Sequence, residues 1–204
     1  MLLLVRHGET EANRQGRYLG RADVELNARG RAQAATLAEV LPRPDVVISS
    51  PLRRARQTAE ALATSFRVDE RWIERDYGAF DQQPIGDQTA AMLERWSDDA
   101  AGAPPGVETL SALSARVREA CDGLSELAAS SVVIVVTHVS PIKAAVAWSM
   151  GDPGSLAEHL FVEDAGVSRI DIVGGRRVLR WFNRTGHQPG EHREEAIRGL
   201  LPSR

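Results

Sequence analysis

Leu2-Leu3-Leu4-Val5-Arg6-His7-Gly8-Glu9-Thr10-Glu11 is the stretch from which the rest of the chain can be read. Four apolar residues run directly into an arginine, a histidine and a glycine. Such a run predicts a strand buried on both faces of a parallel sheet, its carboxyl end opening into a loop. In open α/β sheets, ligands bind beyond the carboxyl ends of the strands. Taken alone, Arg6-His7-Gly8 reads as a surface charge and a turn, and its weight comes from what recurs later in the chain.

Working outward, residues 10–23 are polar and glycine-punctuated, and read as a loop, or a short helical turn and loop, over the end of that strand. Asn27 precedes a helical pattern in which Ala34, Leu37, Ala38 and Leu41 share a face, and Pro42 stops it. Residues 45–49 form a second short buried strand, which completes a βαβ unit. Ser50-Pro51 then supplies a hydroxyl cap and a proline at the first helical position, with Arg53 and Arg54 in the first turn. A helix N-terminus with free N–H groups and two arginines is a good anion site. The device returns at residues 132–137, the clearest buried strand, which lead into His138-Val139-Ser140-Pro141 and a helix carrying Ala144, Ala145 and Trp148. Three strands therefore end in Arg6-His7, Arg54 and His138. If they lie parallel and side by side, two imidazoles and two guanidiniums meet in one crevice. That is an arrangement for a phosphoryl group with a nucleophile beside it.

Composition bounds the reading. A chain of 204 residues suits one large domain, here taken as residues 1–204, with room for a sizeable core. A net charge of −3 argues against a nucleic-acid partner held by phosphate neutralisation. The single cysteine, Cys121, lies in an apolar helical stripe and is compatible with a reducing cytoplasm. No stretch approaches the roughly 18 apolar residues of a membrane span. The expectation is a soluble, cytoplasmic protein with no nucleic-acid or membrane partner; its oligomeric state is open. No His-x-x-x-His pair, cysteine cluster or Walker-type glycine loop signals a metal or nucleotide, so neither a metal nor a cofactor is expected.

As a set, residues 4–10 (LVRHGET), 49–59 (SSPLRRARQTA), 74–78 (ERDYG) and 136–138 (VTH) resemble branch 1 of the histidine phosphatase superfamily, of phosphoglycerate-mutase-like fold. The likeness keeps the family's order and spacing from position 2 to about position 150. It implies an α/β protein, a three-layer α/β/α sandwich around a mainly parallel sheet. It further implies that His7 is the nucleophile that becomes phosphohistidine, and that Arg6, Arg54 and His138 complete the phosphate pocket. Arg54, not Arg53, is the implied phosphate arginine because it directly precedes alanine in the motif. Glu74 matches the proton donor, and Asn13, Arg17, Gly20, Arg75 and Val139 fall on the implied substrate side. There are two departures from the pattern. Gln82 stands where relatives place a glycine after the Tyr-Gly pair, and Val139 stands where they place one after the second histidine.

The chemistry asks for these residue types independently of the resemblance. A neutral imidazole attacks phosphorus in line, and arginines fix the charge on the equatorial oxygens. A carboxylic acid protonates the leaving alkoxide and then serves as base toward water. Residues 79–105 read as a small cap insertion over the pocket mouth, where specificity would reside. Arg95 is the only arginine between Gly78 and Pro105, and this favours a phosphatase over a phosphoglycerate mutase; Arg17, Arg21 and Arg75 remain available for an acidic substrate. Gly174-Gly175 between two β-rich runs predicts a tight hairpin that adds an antiparallel edge. Of the remaining histidines, His187 is the best placed to touch substrate, ahead of His159 and His192. The activity expected is metal-independent hydrolysis of a small phosphorylated metabolite, as in a histidine acid phosphatase-type phosphomonoesterase. The alternatives are a cofactor-dependent phosphoglycerate mutase and, from another class, a non-catalytic phospholigand-binding module.

Overall fold

Leu2–Arg6 forms strand β1, its four apolar side chains buried alternately on opposite faces of a sheet. A computed structural model describes residues 1–86, 106–152, 156 and 159–187 of the chain. After β1 come a short helix α1 (Glu11–Arg14), helix α2 (Ala28–Val40), strand β2 (Val46–Ser49), helix α3 (Arg53–Leu62) and a two-residue strand β3 (Arg67–Val68). Helix α4 (Leu110–Ser130), strand β4 (Val133–Thr137), helix α5 (Val139–Met150) and strands β5 (Val167–Val173) and β6 (Arg176–Arg184) complete the described elements. The expected cap lies mostly in residues 87–105, outside the described residues, as do Arg95, His192 and the charged residues from 188 to 204.

The strands form one sheet in the order β3-β2-β4-β1-β5-β6. β3, β2, β4 and β1 run parallel, while β5 pairs antiparallel with both β1 and β6. The expected α/β fold with a mainly parallel sheet and an antiparallel edge is what forms. Register matters more for the site. Arg6 pairs with Thr137 and Ser49 with Val136, so β1, β4 and β2 finish level with one another. The three strand ends meet because nothing but β4 lies between β1 and β2.

Alternation along each strand feeds two cores. Leu3, Val5, Val47, Ile134 and Val136 pack with Leu37 of α2 and Ala55 and Ala59 of α3. Leu2, Leu4, Ile48, Val133 and Val135 pack with Val117 and Cys121 of α4 and Ile142 and Trp148 of α5 on the other face. Each fully buried aliphatic side chain contributes about 1.5–3 kcal/mol. Two apolar faces on one sheet therefore require a helical layer on each, and the result is the three-layer sandwich. At the hairpin, Gly174 and Gly175 adopt φ 55° and 77°. A tight turn with both central residues left-handed favours glycine at both.

Two local expectations are corrected. Ser50-Pro51 does not cap the third helix: α3 starts at Arg53, its N-cap is Leu52, and no side chain caps it. Ser140-Pro141 likewise lies inside the first turn of α5, whose N-cap is His138. Both serine hydroxyls face other partners. Glu74, the implied proton donor, follows a 3-10 turn at Glu70–Trp72 and is buried with Trp72.

Candidate active site

The His7 ring is fixed from two sides. Its Nδ1 lies 2.7 Å from the carbonyl oxygen of Gly8, which can only accept, so Nδ1 carries the proton. Nε2 then bears the lone pair, and Arg54 Nε–H donates to it over 3.1 Å. Burial, followed by the nearby Arg54 and Arg6 charges, holds the His7 pKa well below the usual imidazole range. The ring is neutral, and its unprotonated nitrogen faces a guanidinium. The loop that carries it is pinned as well. Gly8 N–H donates to Thr58 Oγ1, itself hydrogen-bonded to the Arg54 carbonyl, and Ala165 N–H donates to the His7 carbonyl.

Arg54 is fully buried in the first turn of α3. Its Nη1 donates to the Ala22 carbonyl over 2.8 Å and its Nη2 to the Gly20 carbonyl over 2.7 Å. Burial lowers its pKa to about 10, and the carboxylates of Glu74 and Asp81 oppose that shift. The guanidinium therefore stays charged at neutral pH. Arg53, its neighbour, points outward and pairs with Glu25, while its backbone N–H donates to Asp23. Arg6 donates Nη1 to the Val162 carbonyl and pairs Nη2 with Asp164 at 2.7 Å.

His138 caps α5 at the end of β4, with its ring centroid 5.1 Å from that of His7. Its Nε2 lies 2.7 Å from the hydroxyl of Ser50, which also accepts from Leu52 N–H. Burial, then the Arg54 charge, pushes its pKa well below the usual range. Among the described residues, Arg6 Nε and His138 Nδ1 are buried without a hydrogen-bond partner. Leaving such a donor or acceptor unpaired costs about 1–3 kcal/mol, so two of them in one site call for a polar ligand.

The Glu74 carboxylate sits at the N-terminus of α5. It accepts from Ser140 N–H at 3.2 and 3.3 Å and from Arg75 N–H at 2.6 Å. Thr137 Oγ1, at the end of β4, donates to the Trp72 carbonyl and ties the Glu74 segment to the strand ends. Tyr77, whose hydroxyl hydrogen-bonds Ser140 Oγ at 3.2 Å, stands beside it. Burial, then the Glu74 charge, raises the Tyr77 phenol above its ordinary pKa, which keeps it protonated.

The expected substrate residues divide. Arg75 is buried, donating Nε to the Glu108 carbonyl, with Nη2 buried and unpartnered. Gly20 offers backbone only, gripping Arg54 through its carbonyl. The Asn13 side-chain oxygen belongs to the capping box of α1 with Thr10, and Arg17 donates to Gln15 and to the Gln82 carbonyl. Val139 takes helical backbone and packs against the core on the α4–α5 side, so its side chain departs from the family's glycine without displacing His138. Gln82 keeps the glycine-like conformation that the family pattern asks for, at φ 65°. His159 is exposed, and His187 lines a cavity of about 550 Å³ with Met1, Leu3 and Trp181, whose walls include neither His7 nor Arg6, Arg54, Glu74 or His138. Sequence reasoning missed Ser50 as the partner of His138, Thr58 as the brace of Gly8, and Asp81. Thr58 left a trace, being four residues from Arg54 on the buried face of one helix.

Such an arrangement can hold an oxyanion against a neutral imidazole with its Nε2 lone pair turned inward, and it includes a buried carboxyl group near Arg54. The comparisons agree with that chemistry. The family model of the histidine phosphatase superfamily (branch 1) matches residues 2–185. Phosphoserine phosphatase 1 of Hydrogenobacter thermophilus is 31% identical, covering 98% of this chain and 99% of its own length. A probable phosphoglycerate mutase of Salmonella newport is 32% identical, over 82% of this chain and 83% of its own. A bifunctional protein of Mycobacterium tuberculosis is 33% identical over 91% of this chain but only 54% of its own length, so the chain spans about half of that relative. Among solved structures, a phosphoserine phosphatase from Entamoeba histolytica in complex with 3-phosphoglyceric acid superimposes with a TM-score of 0.80 at 25% identity, covering 92% of this chain and 98% of that one.

Proposed function

The chain belongs to branch 1 of the histidine phosphatase superfamily, and on that premise we propose that it hydrolyses small phosphomonoesters through a phosphohistidine on His7. The observation that carries the proposal is the pair of contacts that fixes His7. With Nδ1–H held by the Gly8 carbonyl and Nε2 facing Arg54, the lone pair stands ready where a bound phosphoryl group would be clamped.

In the proposed reaction the substrate phosphoryl oxygens meet the unpartnered Arg6 Nε and His138 Nδ1 and replace His7 Nε2 as the acceptor of Arg54 Nε–H, which frees the Nε2 lone pair. His7 Nε2 attacks phosphorus in line, the P–O bond to the alcohol breaks, and Glu74 gives the leaving oxygen its proton. Glu74 then accepts a proton from water, the resulting hydroxide equivalent attacks phosphorus, and the N–P bond breaks. Inorganic phosphate leaves and the Nε2 lone pair is restored. No step requires a metal. A pure binding module would have no use for a buried carboxyl group near Arg54 at the N-terminus of α5, so the catalytic reading is preferred.

Residues 79–105 are taken as a cap of the same single domain, and Arg17, Arg21 and Arg75 as the contacts for the rest of an acidic metabolite. Replacing His7 with alanine should abolish phosphate release from 4-nitrophenyl phosphate, while the wild type should retain activity in a chelator and lose it to vanadate. Wild-type turnover by His7→Ala would overturn the nucleophile assignment. The match to a probable phosphoglycerate mutase supports a second reading, since the same groups would transfer the phosphoryl back to a glycerate. Isomerisation of 3-phosphoglycerate without net phosphate release would favour it.

A further inference from the structure

Asp81 is a residue for which the proposed chemistry has no direct use, yet it is bound to the site at two points. Its Oδ1 accepts from Gly20 N–H at 2.8 Å, and its Oδ2 from Ala22 N–H at 2.8 Å. The carbonyls of these same two residues are the ones that accept Arg54 Nη2 and Nη1, at 2.7 and 2.8 Å. A single carboxylate thus holds both amide groups of a loop whose carbonyls hold both ends of the guanidinium. Arg54 Nε then reaches His7 Nε2 at 3.1 Å. The path from Asp81 to His7 is continuous, made of hydrogen bonds of 2.7 to 3.1 Å joined by the backbone of Gly20 and Ala22.

Two further observations fit a carboxylate at this point. A Cβ built on Gly20 would lie 3.0 Å from the Arg75 carbonyl oxygen, 3.0 Å from Tyr77 Cδ2 and 3.2 Å from Asp81 Oδ2. The loop is therefore packed closely on Asp81, and a side chain at Gly20 would have to push its neighbours aside by a few tenths of an ångström. The segment that presents Asp81 is also bound to the loop on its other side, by Gln82 N–H to the Tyr18 carbonyl, Tyr18 N–H to the Gln83 carbonyl and Ile85 N–H to the Gly16 carbonyl.

We propose that Asp81 is a positioning residue for Arg54: by clamping the Gly20 and Ala22 amides it sets the guanidinium in place to hold the oxygens of the phosphoryl group that passes to His7. The proposal rests on the phosphatase reading but can fail separately from it. A displaced Arg54 weakens phosphate binding and slows attack, because a misplacement of about 1 Å far from the reacting atoms can cost on the order of 10²-fold.

The experiment measures binding of inorganic phosphate and orthovanadate, kcat and KM on 4-nitrophenyl phosphate, and Tm, for wild type, Asp81→Ala, Asp81→Asn and Asp81→Glu, each with Arg54 intact and as Arg54→Lys. Asp81→Ala should lose roughly 10²-fold in kcat/KM and bind phosphate about tenfold more weakly. Asp81→Asn, which keeps one full acceptor, should fall between, and its behaviour decides the matter should Asp81→Ala not fold. In the Arg54→Lys background the Asp81 substitutions should cost little more, since the group they position is gone. Phosphate binding by folded Asp81→Ala or Asp81→Asn equal to wild type, or losses that simply add in the double variants, would overturn the positioning role. A wild type that binds phosphate tightly but turns over no ester would overturn the phosphatase reading instead, and the binding comparison would still judge Asp81.

Discussion

At the scale of single residues, the groups proposed to react were legible because their types are dictated by chemistry and their places by strand ends. Arg6, His7, Arg54 and His138 each follow directly from an apolar run or from the helix after it, and such junctions can be read from pattern alone. Asp81 was not legible, since its partners Gly20 and Ala22 are about sixty positions away and are met only once two irregular loops have folded onto each other. Ser50 was misread for a related reason. A serine before a proline suits a helix cap, but here the hydroxyl faces His138 Nε2 and α3 begins two residues after the proline. Gln82 shows a different conflict between local preference and fold. It sits at φ 65°, in the left-handed region that costs a side-chain-bearing residue about 1–2 kcal/mol, and it does so where relatives place a glycine. Gln82→Gly should therefore raise stability by about 1 kcal/mol net of glycine's greater freedom in the unfolded chain, or roughly 2–4 °C in Tm for a chain of this size. Gln82→Ala keeps the strain and should not. Calorimetry on both variants checks this, and a fall in Tm for Gln82→Gly would contradict it.

At the scale of elements, the site depends on how closely the loop after β1 approaches the start of α2. A Cβ on Gly30 would lie 2.1 Å from the Glu9 carbonyl oxygen, and one on Gly8 would lie 2.3 Å from the Gly30 carbonyl oxygen. These are backbone atoms and cannot swing aside, so the two glycines let the helix seat directly on the loop that bears His7. Gly30→Ala would improve intrinsic helix propensity, which on its own would stabilise an exposed helix by up to about 1 kcal/mol. Steric overlap reverses the sign. The expectation is a loss of about 1–3 kcal/mol, the usual range for overpacking, together with a fall in kcat as the His7 loop shifts. Denaturant unfolding and turnover measured on the same sample test this; unchanged values of both would contradict it. The element pattern itself was largely readable, from the βαβ start to the Gly174-Gly175 hairpin. β3 escaped because two residues carry no periodicity, and the start of α5 because His138, with no side-chain cap bond, takes the capping position that a serine was expected to fill.

At the scale of the whole molecule, two imidazoles are buried uncharged beside two arginines, and that has a consequence for folding. The folded pKa values of His7 and His138 lie well below 6.5, the ordinary value that the unfolded chain retains. Above pH 6.5 both states leave these rings neutral, and they contribute no pH dependence. As pH falls below 6.5 the unfolded chain takes up protons that the folded one refuses, so stability declines until the folded pKa is passed. Each histidine adds a slope approaching 1.4 kcal/mol per pH unit in that window. Urea unfolding between pH 8 and 5 should give a plateau and then a decline, and a flat profile would contradict the neutral assignment of both rings. The central claim is covalent: His7 Nε2 carries the phosphoryl group during turnover. The most direct measurement uses Glu74→Gln with 4-nitrophenyl phosphate, because nitrophenolate leaves without needing a proton while the hydrolysis that follows loses its base. Base quenching and peptide mass spectrometry should find an acid-labile, base-stable phosphoryl group on the peptide containing His7, absent from His7→Ala. A phosphoryl group on any other residue, or turnover by Glu74→Gln at the wild-type rate with no phosphoenzyme, would contradict the account.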